Sequence, residues 1–324
     1  MYNPYVKSDE LKNKKIGHFK LLRVLGEGGM GCVFEAIDCR TRKKVALKLL
    51  LDATNSTSAQ LEQACRLRDE ASIALRLRHP ALVEVLDCGE SKEFGPFIVF
   101  ALLSGASLRD ELNDRKKIPF CELFERIIKP ILSALSVLHG AGVVHRDIKP
   151  ENLFISGDGN YMLGDLGLAR FEGREAKTKT GLIVGTPAYI SPEQLLSPDT
   201  PATPASDLYS FGLVVVEALT GRTFMESMGK ATTLYERLYS APPLHSVNKD
   251  LRGELRQLLS PDPRKRQSDI IELLDVFEQK ANGLRKEKRE PRSLLFYTLV
   301  TVVLLLCFWI CTEQYFLRNN KPKY

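Results

Sequence analysis

The sequence predicts an α+β protein of two lobes, a small β-rich N-lobe and a larger helical C-lobe, followed by one C-terminal transmembrane helix. Three observations carry this. Between Phe19 and Leu51 short apolar runs alternate with polar residues; from Ser107 onward the apolar period lengthens to three and four; and residues 294–311 contain no charge. Period two is the mark of a half-buried strand and period 3.6 that of an amphipathic helix.

In chain order, FKLLRVLG, CVFEAID and KVALKLL read as antiparallel strands broken by Gly and charge. Residues 59–78 repeat Leu61, Cys65, Leu67, Ala71, Ala74 and Leu75 at helical spacing, so a helix is expected to end before Pro80. ALVEVLDCG and PFIVFALL supply two more strands, and Leu123 to His139, Asp207 to Leu219 and Ser268 to Lys280 read as helices. The run LLFYTLVTVVLLLCFWIC would span roughly 27 Å as a helix, close to the ~30 Å hydrocarbon core. A buried core helix is the competing reading of that run. Five basic residues between Arg285 and Arg292 precede it, which places the N-terminal part in the cytoplasm.

The 324 residues carry a net charge of +6. Residues 1–16, 281–293 and 312–324 hold +2, +3 and +2, leaving −1 for the rest of the chain. A near-neutral body with basic ends is not a nucleic-acid-binding surface, so no nucleic acid partner is expected. Seven scattered cysteines form no C-x-x-C pair, which fits free thiols in a reducing compartment. Met1 to Lys15 lacks an apolar core, so no cleavable signal peptide is expected. Only 13 residues follow the apolar run, so no folded sensor domain is expected there.

The chemistry is concentrated in four motifs. GEGGMGCV places Gly26, Gly28, Gly31 and Val33 in the spacing G-x-G-x-x-G-x-V between two strand-like runs. Such a loop either brings backbone close to phosphate or is simply a tight turn; the strand after it argues against a dinucleotide fold, which needs a helix there. Lys48 in VALK lies in an apolar strand, pointing either to solvent or into a cleft toward phosphate, and its distance after the glycine loop favours the cleft. HRDIKPEN then gives Asp147, Lys149 and Asn152, and GDLG gives Asp165. Asp147 as a base, Asn152 and Asp165 as oxygen ligands for Mg²⁺, and Lys149 as a cation near a transferred phosphate form a complete set for phosphoryl transfer.

On these residues the chain from about Gly17 to Gln279 resembles the eukaryotic-type (Hanks-type) protein kinases. GEGGMG, HRDIKPEN and GTPAYISPEQ look most like the bacterial Ser/Thr branch. The resemblance implies ATP as nucleotide, with Mn²⁺ as a substitute for Mg²⁺, and Ser or Thr hydroxyls of proteins as acceptors. It implies Glu70 as the helix carboxylate that pairs with Lys48, with Asp69 as the alternative. It also implies Phe100 as gatekeeper, Ala101 to Leu103 as the hinge at the adenine edge, and Val33, Ala46 and Leu153 around the ring. Asp207 would brace the catalytic loop and Arg266 would pair with Glu193. Arg146 beside Asp147 implies a loop switched by phosphate, for which Thr178 and Thr180 are the candidate phosphosites. Asp-Leu-Gly replaces Asp-Phe-Gly and Ser-Pro-Glu replaces Ala-Pro-Glu, neither removing a catalytic group.

The expected organisation is a polar extension (1–16), a kinase domain (17–280), a basic juxtamembrane linker (281–293), a transmembrane helix (294–311) and a short tail (312–324). The expected protein is a single-pass, membrane-anchored, non-specific Ser/Thr protein kinase, activated by dimerisation on the membrane or by a partner. A pseudokinase scaffold is the alternative, disfavoured because the Lys, catalytic Asp and metal Asp positions are all filled; a small-molecule kinase is weaker still.

Overall fold

The computed structural model describes residues 11–28, 31–50, 71–91, 93–166, 187–196, 201–224, 226, 243–266 and 269–319. The chain divides into two units, 1–275 and 276–324.

The first unit opens with a six-stranded antiparallel sheet. Its strands are β1 (Lys15–Ile16), β2 (Phe19–Gly28), β3 (Gly31–Asp38), β4 (Lys44–Leu50), β5 (Val85–Ser91) and β6 (Gly95–Ala101), in the order β1-β2-β3-β4-β6-β5. Register decides what each face carries. Val33 pairs with Lys48 and Lys48 with Ile98, while Ala46 pairs with Phe100. Paired residues share a face, so Val33, Ala46, Lys48 and Phe100 lie on one side and Phe34, Leu47 and Val99 on the other. That second side forms a core with Phe19, Leu21, Ala36, Val45, Leu49, Phe94 and Phe97. Leu11 and Ile16 join this core, so the segment read as a polar extension contributes apolar anchors to the sheet.

The helical lobe follows. Helix α1 (Leu108–Arg115) starts at a capping box in which the Ser107 side chain accepts from the Asp110 backbone N–H and the Asp110 carboxylate accepts from that of Ser107. Helix α2 (Phe120–Leu123) runs through a π turn (Phe124–Ile128) into α3 (Lys129–Gly140). Pro130 has no N–H to give the carbonyl four residues back, and the ladder widens by one residue just before it, Lys129 N–H reaching Phe124 O. After α4 (Pro192–Leu196), helix α5 (Pro204–Thr220) is buried from Ser206 to Ala218, making it the central helix of this lobe. It starts with Pro204 in its first turn and stops at Gly221, whose φ of +72° suits glycine. Helix α6 (Arg252–Leu258) packs on it. The hairpin β7 (Leu153–Ile155) and β8 (Tyr161–Leu163) carries the expected catalytic motifs.

Helix α7 (Ile270–Asn319) is continuous over 50 residues, far beyond the expected Lys280. Among the described residues no helix is long and apolar enough to cross a membrane. The side chains of residues 287–298, Cys307 and those from 311 onward lie outside that description, so the expected span at 294–311 falls partly outside it.

Candidate active site

Three stretches meet around Asp147: the sheet face bearing Lys48, the loop 145–152, and Asp165 just beyond β8. Loop 145–152 leads directly into β7, and the β7–β8 pairing brings Asp165 back beside it; Gly164 N–H donates to Asn152 O at 2.9 Å. Asn152 Nδ2 donates to Asp147 Oδ2 at 2.9 Å and to Asp147 O at 2.7 Å, and Lys149 Nζ donates to the same Oδ2 at 2.8 Å. Two donors on one oxygen fix the orientation of the Asp147 carboxylate.

Lys48 is buried and its Nζ lies 2.5 Å from Asp165 Oδ1, which joins the six-stranded sheet to the segment just beyond β8. Its distance after the glycine loop favoured the cleft over solvent, and the register with Val33 and Ile98 turns it inward. Asp165 holds φ of +52° and Arg146 +70°, a left-handed backbone unusual for residues with a Cβ. Asp165 belongs to the phosphoryl-transfer set and Arg146 adjoins Asp147, and strain of this kind is common at such sites.

The frame beneath the loop is built by Asp207 on α5. Its carboxylate accepts from His145 N–H at 2.7 Å and Arg146 N–H at 2.8 Å, and lies 2.9 Å from His139 Nε2. His145 is fully buried, and burial lowers its pKa despite the nearby carboxylates. Its contacts specify a neutral ring: Nε2 must donate to Gly164 O at 3.1 Å while Nδ1 accepts from Asp147 N–H at 3.3 Å. Arg266 and Glu193 form a two-pronged pair at 2.7 Å on each arm.

The glycine-rich turn joins β2 to β3 with Gly28 opposite Gly31 and Gly26 opposite Val33. Gly31 adopts φ of +149°, and a Cβ on Gly26 would meet nothing within 4 Å. Packing of the chain itself therefore does not require glycine at 26, whereas a backbone that must approach a ligand does. Phe100 is buried beside Ala46, Ala101 N–H donates to Glu84 O at 2.9 Å, Leu103 is partly buried and Leu153 fully buried. Glu70 and Asp69, Thr178 and Thr180 lie outside the described residues.

Asn152 spends its nitrogen on Asp147, which leaves its carbonyl oxygen for a cation, and Asp165 offers a carboxylate. Two hard oxygen donors suit Mg²⁺, which usually takes one or two carboxylates plus phosphate oxygens and water. Among the described residues no group of three or more His, Cys, Asp or Glu could hold a metal ion.

A cluster that motif reading missed lies alongside: Arg109, Glu151, Tyr189 and Glu217, joined by hydrogen bonds. Its members are spread over four stretches of chain, so spacing carried no signal of it; Glu151 and Tyr189 stood inside the motifs HRDIKPEN and GTPAYISPEQ, Arg109 and Glu217 in none.

A family model described as protein kinase domain matches residues 19–280. The Ser/Thr-protein kinase PknL of Mycobacterium tuberculosis is 40% identical over 224 residues, covering 69% of this chain and 54% of that protein. PknA of the same organism is 32% identical over 280 residues, covering 85% and 63%. The chain thus spans little more than half the length of these relatives. Among solved structures, the kinase domain of M. tuberculosis PknI aligns with a TM-score of 0.64 at 24% identity, over 83% of this chain and 98% of that one.

Proposed function

Because the chain belongs to the protein kinase domain family, we propose that it is a Ser/Thr protein kinase that moves the γ-phosphoryl group of ATP to Ser or Thr hydroxyls of proteins. The observation that carries this reading is the convergence of Lys48, Asp165, Asn152, Lys149 and Asp147. The names of the bacterial relatives support Ser/Thr acceptors.

Each residue then has a physical task. The backbone from Gly26 to Gly31 and the ammonium of Lys48 hold the nucleotide phosphates, and Val33, Ala46, Leu153 and the Phe100–Leu103 stretch enclose the base. Asp147 orients the acceptor hydroxyl and takes its proton as the oxygen bonds to phosphorus; the bond to the β,γ-bridging oxygen breaks and ADP leaves. Lys149, already 2.8 Å from Asp147, supplies positive charge where negative charge develops. Asn152 and Asp165 would hold magnesium, which when bound neutralises phosphate charge. Thr178 and Thr180 are the proposed sites of autophosphorylation, and Glu70 the proposed partner of Lys48.

The decisive assay is transfer of labelled phosphate from Mg-ATP to protein. Lys48→Met and Asp165→Asn are expected to reduce it by at least 100-fold; retained autophosphorylation in either variant would sink the assignment.

We further infer that residues 294–311 anchor the protein in a membrane, as a single pass with the kinase domain cytoplasmic. The 18 uncharged residues follow five basic ones and lie within a continuous helix. Leu299, Leu304, Leu305, Phe308 and Trp309 are all exposed to more than half their surface, which water disfavours and lipid accepts. Alkaline extraction of membranes is expected to leave the full chain bound and to release a chain lacking residues 281–324.

A further inference from the structure

Glu35 lies within β3, opposite Arg23 of β2 on one side and Ala46 of β4 on the other. It therefore stands on the sheet face that carries Val33, Ala46, Lys48 and Phe100. Only 4% of it is exposed, which a carboxylate seldom tolerates unless it is paired. Arg23 Nε donates to Glu35 Oε2 at 2.7 Å, and Lys44 Nζ, from the same face of β4, reaches Oε1 at 2.8 Å. One carboxylate thus ties three neighbouring strands. The hydrogen bond from Lys44, reinforced by Arg23, holds the Glu35 carboxyl below its ordinary pKa against the opposing effect of burial.

The place of this tie along β2 gives it consequence. The register of β2 against β3 shifts twice, between Leu21 and Arg23 and again between Val24 and Gly26. Irregular steps of this kind interrupt the ladder and bend the strand. Arg23 and Val24 are the paired residues between the two shifts, and the glycine-rich turn begins directly beyond the second. Val24 packs against the core on one side of the sheet; on the other side the attachment is Arg23 to Glu35. What holds Arg23 therefore sets where Gly26 and Gly28 lie relative to Val33 and Lys48. Glutamine at this position keeps the size but offers a single uncharged acceptor oxygen and turns an NH2 donor toward the second cation.

We propose that Glu35 is a positioning residue for the nucleotide, holding β2 in register through Arg23 so that the glycine-rich turn meets the phosphates, and taking no part in the transfer step itself. This rests on the kinase reading. A cross-strand ion pair that only added stability would change Tm and leave nucleotide affinity alone.

The test uses the full chain, with Mg-ATP affinity measured by calorimetry and transfer measured on dephosphorylated casein. Glu35→Gln is expected to raise both Kd and KM for Mg-ATP at least about fivefold, while kcat at saturating ATP stays within about twofold. Arg23→Met, whose wild-type side chain is 66% exposed, serves if Glu35→Gln does not fold and is expected to weaken Mg-ATP binding severalfold. In the double variant the two effects are expected to fall short of additive, because either substitution alone breaks the same tie. Unchanged affinity in Glu35→Gln, a kcat that falls as far as the affinity, or strict additivity overturns the positioning role. A wild-type chain that binds Mg-ATP but transfers phosphate neither to casein nor to itself overturns the kinase reading alone, and the affinities still decide the role of Glu35; a chain that does not bind Mg-ATP overturns both.

Discussion

Replacing Arg266 by methionine tests how the helical lobe is held together. The Arg266 side chain has no exposed surface and Glu193 only 15%. The guanidinium donates both arms to the Glu193 carboxylate and further bonds to Ser260 O, Pro261 O and Ala205 O, and it stacks 4.7 Å above the Tyr209 ring. Removing one partner of a buried pair leaves the other charge uncompensated, which costs about 3–5 kcal/mol. At roughly 2–4 °C per kcal/mol for a domain of this size, the expected fall in Tm is about 6–20 °C. Burial alone would raise the pKa of Glu193, but Arg266 overrides it and holds the carboxyl below its ordinary value. A depressed folded pKa adds stability above the unfolded value, near ~4.3, and loses it as pH falls through the folded value. The Tm gap between wild type and Arg266→Met is therefore expected to be full at pH 7 and to narrow below about pH 4.3. Thermal unfolding followed by circular dichroism, with Glu193→Gln and the double variant completing a cycle, measures this. A fall under about 1 kcal/mol, or strict additivity of the two substitutions, would refute the argument.

Two further outcomes follow from local geometry. Gly221→Ala places a Cβ 2.8 Å from Lys116 O at φ of +72°, so a loss of about 1–3 kcal/mol is expected in the same unfolding measurement. Cys32, next to the glycine-rich turn, has its thiol pushed up to about 12 by burial and by Glu27, so alkylation at pH 8 is expected to label exposed Cys39 well before Cys32, as read by peptide mass mapping.

Some of this protein was legible in its sequence because the information is local. Period two between Phe19 and Leu51 reports strands, since each side chain's face is set by its parity, and the motifs GEGGMGCV and HRDIKPEN keep their groups within one loop each. Most of helix α5 was readable for the same reason, as Asp207 to Leu219, while its start at Pro204 was not. Tertiary structure decided what distance along the chain conceals. Lys48 and Asp165 are 117 residues apart and touch; sequence named both and favoured the cleft for Lys48, but only the folded chain shows that the two meet. Leu11 and Ile16, two apolar residues among polar ones, carried too weak a pattern to be assigned to a core that other strands complete. Arg109, Glu151, Tyr189 and Glu217 belong to different elements, so their meeting depends on how the helical lobe packs around α5. The sequence by itself determined which chemical groups the protein carries and in what local backbone setting, because propensity and periodicity act over a few residues. Only the folded lobe decided which of those groups share charge and hydrogen bonds, because burial brings together residues that no sequence window contains.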